Sequence, residues 1–110
     1  MNRSSSSGDQ GTYVQVNGLR MYYESHGEGI PVILLHGGFE TCRMWIQVTS
    51  ALSKNYRVIT PDSRGHGRTD PSVEPVTYPL MVEDFIQFTQ VLGLDKPFVA
   101  GYSDGGQIAK

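Results

Sequence analysis

The chain has 110 residues, one domain's worth, with 38% hydrophobic and 18% charged residues, a balance that suits a soluble globular fold and argues against a disordered chain. Its 9 basic and 11 acidic residues leave a net charge of -2, which offers no electrostatic footing for nucleic acid or an anionic membrane as partner. The longest apolar run, residues 30–35, is far too short to span a bilayer, and the N-terminus has no apolar signal segment, so the expected location is cytoplasmic.

Residues 1–11 are serine, glycine and polar residues without periodicity, and read as a disordered tail or a processing or cloning scar. Residues 12–110 are expected to form the N-terminal part of one domain. In residues 12–25, Tyr13, Val14 and Val16 precede Asn17-Gly18, and Leu19, Met21 and Tyr23 then alternate with Arg20, Tyr22 and Glu24. Asn-Gly tolerates the positive φ of a type I′ turn, so this is an antiparallel hairpin with one face buried. His26-Gly27-Glu28-Gly29 reads as a turn, with His26 at the surface. The run from Ile30 to Leu35 is continuously apolar after Pro31, as in a strand covered on both faces within a parallel sheet. His36-Gly37-Gly38 ends it abruptly, and glycines there let backbone N–H groups approach a ligand. Residues 39–44 read as loop. The single cysteine, Cys42, can form no internal disulfide and reads as a small, partly buried thiol.

Residues 44–53 are the first helix, with Trp45, Val48, Ala51 and Leu52 at helical spacing and Asn55 helping to close it. Residues 56–60 form a strand ended by Pro61. Residues 62–72 follow as a loop dense in glycine and charge, expected at the surface and at a strand's carboxyl end, where open α/β sheets form their sites. Thr77 caps a helix running to about Leu92, with Pro79 tolerated in its first turn. Its apolar face carries Tyr78, Met81, Val82, Phe85, Phe88 (or Thr89) and Leu92; Glu83 and Asp84 suit its N-terminal half, and Gly93 fits the stop position. Residues 98–100 are the last strand.

That strand runs straight into Gly101-Tyr102-Ser103-Asp104-Gly105-Gly106, a serine between two glycines at a strand-to-helix turn. This is the G-x-S-x-G pattern of a nucleophile elbow, which thrusts a serine hydroxyl out of the sheet. Such a turn usually imposes positive φ on the serine at a cost of about 1–3 kcal/mol. The helix after it points free N–H groups at developing negative charge. The element order makes an α/β fold, an antiparallel hairpin leading into a mostly parallel sheet with right-handed crossover helices.

The chain resembles the α/β-hydrolase fold family. The resemblance rests on His36-Gly37-Gly38, Asp62-Ser63-Arg64-Gly65-His66-Gly67 and Gly101-Tyr102-Ser103-Asp104-Gly105-Gly106, in the family's order and spacing. It implies that Ser103 is the nucleophile. It implies one oxyanion-hole N–H from Asp104 and another from Gly38 or Phe39. Loss of one such donor typically costs about 3–4 kcal/mol of transition-state stabilisation. By the same resemblance Arg64 and its neighbouring glycines are architectural, and His36 orients the oxyanion loop. His66 is not the base, because the family's base comes late in the chain, after the acid. Asp62, Asp70, Asp95 and Asp104 do not occupy the family's acid position. The relatives carry further strands, often a lid, then the acid and the histidine. These residues therefore read as the front half of a longer protein, inactive alone, since a serine without its base is a poor nucleophile.

The function implied for the parent protein is a serine hydrolase acting on an ester or related acyl bond of a small molecule. Serine at position 103 argues against the epoxide hydrolase and haloalkane dehalogenase branches, whose nucleophile is aspartate. The alternative is a non-catalytic member that binds a ligand or a protein in the same pocket. No cofactor is implied, and His26, His36 and His66 lack the paired spacing of a zinc site.

Overall fold

The structure, a computed structural model, describes residues 11–37, 41–94 and 96–101. Strand β1 (Gly11–Val16) begins one residue before the reading from sequence and pairs antiparallel with β2 (Leu19–His26). Asn17 (φ 50°) and Gly18 (φ 84°) form the turn between them, as the Asn-Gly pair predicts, because both residues must take left-handed backbone. Next come β3 (Pro31–Leu35), a short 3₁₀ turn (Cys42–Trp45), α1 (Ile46–Leu52), β4 (Arg57–Pro61), α2 (Tyr78–Val91) and β5 (Phe98–Gly101).

The sheet order is β1-β2-β4-β3-β5. β2 pairs antiparallel with β4, and β3 is flanked by β4 and β5, both parallel to it. The hairpin thus leads into a parallel sheet, as expected. Val16, Leu19, Met21, Ile33, Leu35 and Ile59 form one apolar layer with Met81, Phe85 and Phe88 of α2. On the opposite face Val32, Leu34 and Val58 pack with Trp45 and Leu52. The connection after β3 therefore runs to one face and the connection after β4 to the other. Adjacent parallel strands whose connections part in this way open a crevice at their carboxyl ends, the usual place for a site.

The helix caps follow the sequence closely. The Thr77 side chain accepts from the Leu80 N–H at 3.3 Å. At the far end Gly93 N–H donates to Gln90 and Leu94 N–H to Thr89, the paired bonds of a Schellman stop.

Several local expectations are corrected. His26 is not a surface turn residue. It ends β2, paired with Val58, and its Nε2 lies 3.3 Å from Glu24 Oε1. The hairpin buries both faces of β2, with Tyr22 and Glu24 each 5% exposed. The reason is that the 62–69 segment and the 3₁₀ turn cover its second face: the Arg68 guanidinium lies over the Tyr22 ring, 5.1 Å from its centre, and Arg43 donates to Glu24 at 3.2 Å. The 62–72 loop is likewise no simple surface loop, since Asp62, Ser63, Arg64 and Thr69 are buried. The 42–45 stretch is helical rather than loop, with Thr41 as its N-cap. Thr49 is the buried residue of α1, whereas Val48 stays exposed.

Candidate active site

The site residues read from sequence, Ser103, Asp104, Gly38 and Phe39, lie outside the described residues. What is described is the frame on either side of them. Leu35 at the end of β3 pairs with Gly101 at the end of β5, the last rung of that ladder. The chain therefore runs off toward residues 36–37 and toward residues 102–110 from the same end of the sheet.

His36 is the first residue past β3 and is 2% exposed. Its Nδ1 donates to the Gly37 carbonyl at 2.7 Å, and its Nε2 accepts the Ser63 N–H at 2.9 Å. A backbone N–H can only meet a bare ring nitrogen, so the partners fix the neutral Nδ1–H tautomer. The expectation that His36 is a satisfied structural histidine agrees with this geometry. His66 lies beside it, ring centroids 5.1 Å apart, with Nδ1 donating to the Arg64 carbonyl at 3.0 Å.

Asp62 follows β4 directly and is 2% exposed. Its Oδ1 accepts the Cys42 N–H at 2.6 Å and its Oδ2 accepts the Arg68 N–H at 3.1 Å. Its carbonyl accepts the Thr69 hydroxyl at 2.7 Å, and its own N–H donates to the Tyr22 carbonyl at 2.9 Å. A Cβ at Gly67 would occupy the space of the Asp62 carboxylate, so only glycine fits there. The sequence presents Asp62 as the first residue of the Asp-Ser-Arg-Gly-His-Gly motif and as an acidic residue outside the family's acid position, with no role of its own. The usable signal was the glycine five positions on, the residue type needed where a side chain must fold back onto its own loop.

Arg64 supports the loop from beneath. Its guanidinium takes Asp84 of α2 bidentately, both bonds 2.8 Å, and also donates to the Ser72 hydroxyl at 3.1 Å. Arg64 and Asp84 side chains are 3% and 1% exposed, a fully desolvated pair. Asn17 of the hairpin turn joins it by donating to Asp84 at 2.9 Å. Asp84 is thus an anchor for the loop, not a surface charge placed for the helix dipole.

A second polar group lies around Glu24. Burial would raise its pKa, yet hydrogen bonds from Tyr22, His26 and Arg43 outweigh burial and hold it below its usual range. Tyr22 and Cys42 are pushed up, first by burial and then by these carboxylates. Cys42 is 3% exposed and stays a thiol, so it is no competing nucleophile. Two cavities of about 310 and 410 Å³ share Glu24, Cys42 and Arg43 in their walls. Among the described residues no cluster of three or more His, Cys, Asp or Glu side chains is arranged to hold a metal ion, and no helix is long and apolar enough to cross a membrane.

A hairpin feeding a parallel sheet, helices on both faces, and glycine-rich loops gathered at the carboxyl ends of β3 and β4 define part of an α/β-hydrolase architecture. The family model described as alpha/beta hydrolase fold matches residues 30–109, and the chain belongs to that family. It is 36% identical over 94 residues to a soluble epoxide hydrolase of Corynebacterium sp. strain C12, covering 86% of this chain and 33% of that protein. An epoxide hydrolase structure from Vigna radiata superposes with a TM-score of 0.85 at 32% identity, over 89% of this chain and 33% of that one. The structure of an N-acyl homoserine lactone degrading enzyme gives 0.83 at 32% identity, over 89% of this chain and 38% of that one. The chain spans about a third of the length of the relatives it matches.

Proposed function

We propose that these residues form the N-terminal part of a serine hydrolase that cleaves an ester, lactone or related acyl bond of a small molecule. Ser103 attacks the acyl carbon, an acyl-enzyme forms, and water releases the acid. The backbone N–H of Asp104 and that of Gly38 or Phe39 receive the oxyanion. The supporting observation is the rung Leu35–Gly101, the last of the parallel β3–β5 ladder, because the His-Gly-Gly and Gly-Tyr-Ser-Asp-Gly motifs follow the ends of those two strands directly in sequence. Such a site needs the nucleophile and its oxyanion donors on neighbouring strand ends.

The relatives named epoxide hydrolases favour a second reading, epoxide opening. The sequence at the elbow favours the first. Ser103 has small residues two positions away on both sides, Gly101 and Gly105, whereas Asp104 would have Tyr102 on one side. A sharp elbow has no room for a tyrosine there.

The test uses the full-length protein that carries these residues. A fluorophosphonate probe is expected to label it at Ser103, and Ser103→Ala is expected to abolish labelling and to lower ester or lactone turnover by about 10⁴-fold or more. Turnover of epoxides that survives in Ser103→Ala would establish the second reading. An unlabelled protein that turns over neither class but still binds small molecules would make it a non-catalytic binding member.

A further inference from the structure

The stretch expected to carry the first oxyanion donor is held at its two ends by consecutive residues of a different loop. At its start, Ser63 N–H donates to His36 Nε2 at 2.9 Å, and the same ring donates to the Gly37 carbonyl at 2.7 Å. At its end, the Asp62 carboxylate accepts Cys42 N–H at 2.6 Å. Beyond that bond the chain is already rigid: the Thr41 hydroxyl accepts Arg43 N–H at 3.2 Å, and the Thr41 carbonyl accepts Met44 N–H at 3.1 Å. The Asp62 main chain is tied independently, to Tyr22 and to Thr69. Its carboxylate is therefore free to act as a fixed post, and Gly67 leaves room for it. Residues 36–37 and residue 42 are thus both tied to the two residues that follow β4.

We propose that Asp62 is a positioning residue for the oxyanion hole, acting through Cys42 N–H on the 37–41 connection; this rests on the serine-hydrolase reading above. The charge matters as well as the shape. A carboxylate accepting backbone N–H groups makes short, charge-assisted bonds. The amide of asparagine offers one acceptor and one donor, so one of Cys42 N–H and Arg68 N–H would face an N–H. The loop end would then shift, and an oxyanion donor works only when preorganised at about 2.7–3.1 Å from the developing charge. Small misplacements of catalytic groups cost up to about 100-fold.

The experiment compares wild type, Asp62→Asn, Gly67→Ala and Thr69→Val in the full-length protein. Each is assayed for kcat, KM and inhibition by a trifluoromethyl ketone, which forms an anionic tetrahedral adduct, and by the matching methyl ketone, which reports ground-state binding. Asp62→Asn is expected to lower kcat by about 10–100-fold with KM changed less than about threefold. The preference for the trifluoromethyl ketone is expected to fall by a similar factor. Gly67→Ala, which displaces the carboxylate without removing it, is expected to move the same quantities in the same direction, and is read alone should Asp62→Asn fail to fold. Thr69→Val removes one of the two ties on the Asp62 main chain and is expected to move kcat and the ketone preference in the same direction as Asp62→Asn by a smaller factor. Loss of stability with kcat and ketone preference unchanged, in both Asp62→Asn and Gly67→Ala, overturns the inference alone. A wild-type protein that ignores the fluorophosphonate overturns the serine-hydrolase reading, and this inference with it.

Discussion

Ser63 contributes its backbone, not its side chain, to the frame around the site. Its N–H holds His36, while its Oγ is buried and finds no hydrogen-bond partner among the described residues. An orphaned buried hydroxyl carries a desolvation cost of about 1–3 kcal/mol. Ser63→Ala keeps the N–H and removes the orphan, so stability is expected to hold or rise by up to about 1 kcal/mol in urea unfolding, with kcat unchanged. A clear loss of stability would mean that the hydroxyl has a partner. The ionisable residues of the same region set a pH window. Tyr22 and Cys42 have folded pKa values raised above their ordinary 10.0 and 9.0, first by burial. A raised pKa means stability that is complete below the ordinary value and lost as pH climbs through the folded one. Glu24 is lowered below its ordinary 4.5 because the hydrogen bonds it accepts outweigh burial, so its contribution is present above that value and lost as pH falls. Urea midpoints are therefore expected to be flat from about pH 5 to 9 and to drop on both sides. Tyr22→Phe is expected to shrink the alkaline drop, and an unchanged alkaline limb would assign it elsewhere.

At the scale of elements, the buried Arg64–Asp84 pair ties the loop after β4 to α2, and Asn17 ties the hairpin turn to the same carboxylate. Removing one partner strands a desolvated charge. Asp84→Ala is expected to cost about 3–5 kcal/mol in urea unfolding, and the double change Arg64→Met with Asp84→Leu is expected to recover most of it. A double variant as unstable as the single one would show that the pair contributes more than the cancellation of two buried charges. These ties also show what could be read from the sequence and what could not. The strand order of elements, the Asn17-Gly18 turn, the Thr77 cap and the Gly93 stop were legible because each depends on neighbours within a few residues. The family was legible because three glycine-rich motifs stood at strand ends in the right order. The burial of Tyr22, Glu24, Asp62 and Asp84 was not legible. Each is polar, and each is inside because a partner 19 or more residues away satisfies it. Alternation within one strand carries no trace of a loop that folds over its outer face.

Among the described residues the sheet ends at β5 on one side. Among the described residues β5 pairs only with β3, and Phe98 and Val99 are 63% and 44% exposed. Beside it lies an apolar groove of about 150 Å³ walled by Ile33, Leu35, Val82, Phe85 and Val99. A short apolar strand with an open edge templates pairing with another chain. The relatives matched are about three times as long as this chain, room for the elements that would cover that edge. The 110 residues produced alone are thus expected to self-associate, and Val99→Lys is expected to shift them toward monomer in analytical ultracentrifugation. They are also expected to lack serine-dependent turnover. Both His36 ring nitrogens are engaged, so that ring has no lone pair to spare, and by the resemblance to the family the base comes late in the chain, after the acid, which leaves His26 and His66 outside its position. Without a free base beside it, a nucleophilic serine loses about 10⁴–10⁶ in rate. An esterase assay of the 110 residues beside their Ser103→Ala variant decides it. Equal background in both is the expected result, and turnover by the unaltered chain that Ser103→Ala abolishes would show that the frame described here already holds a working base.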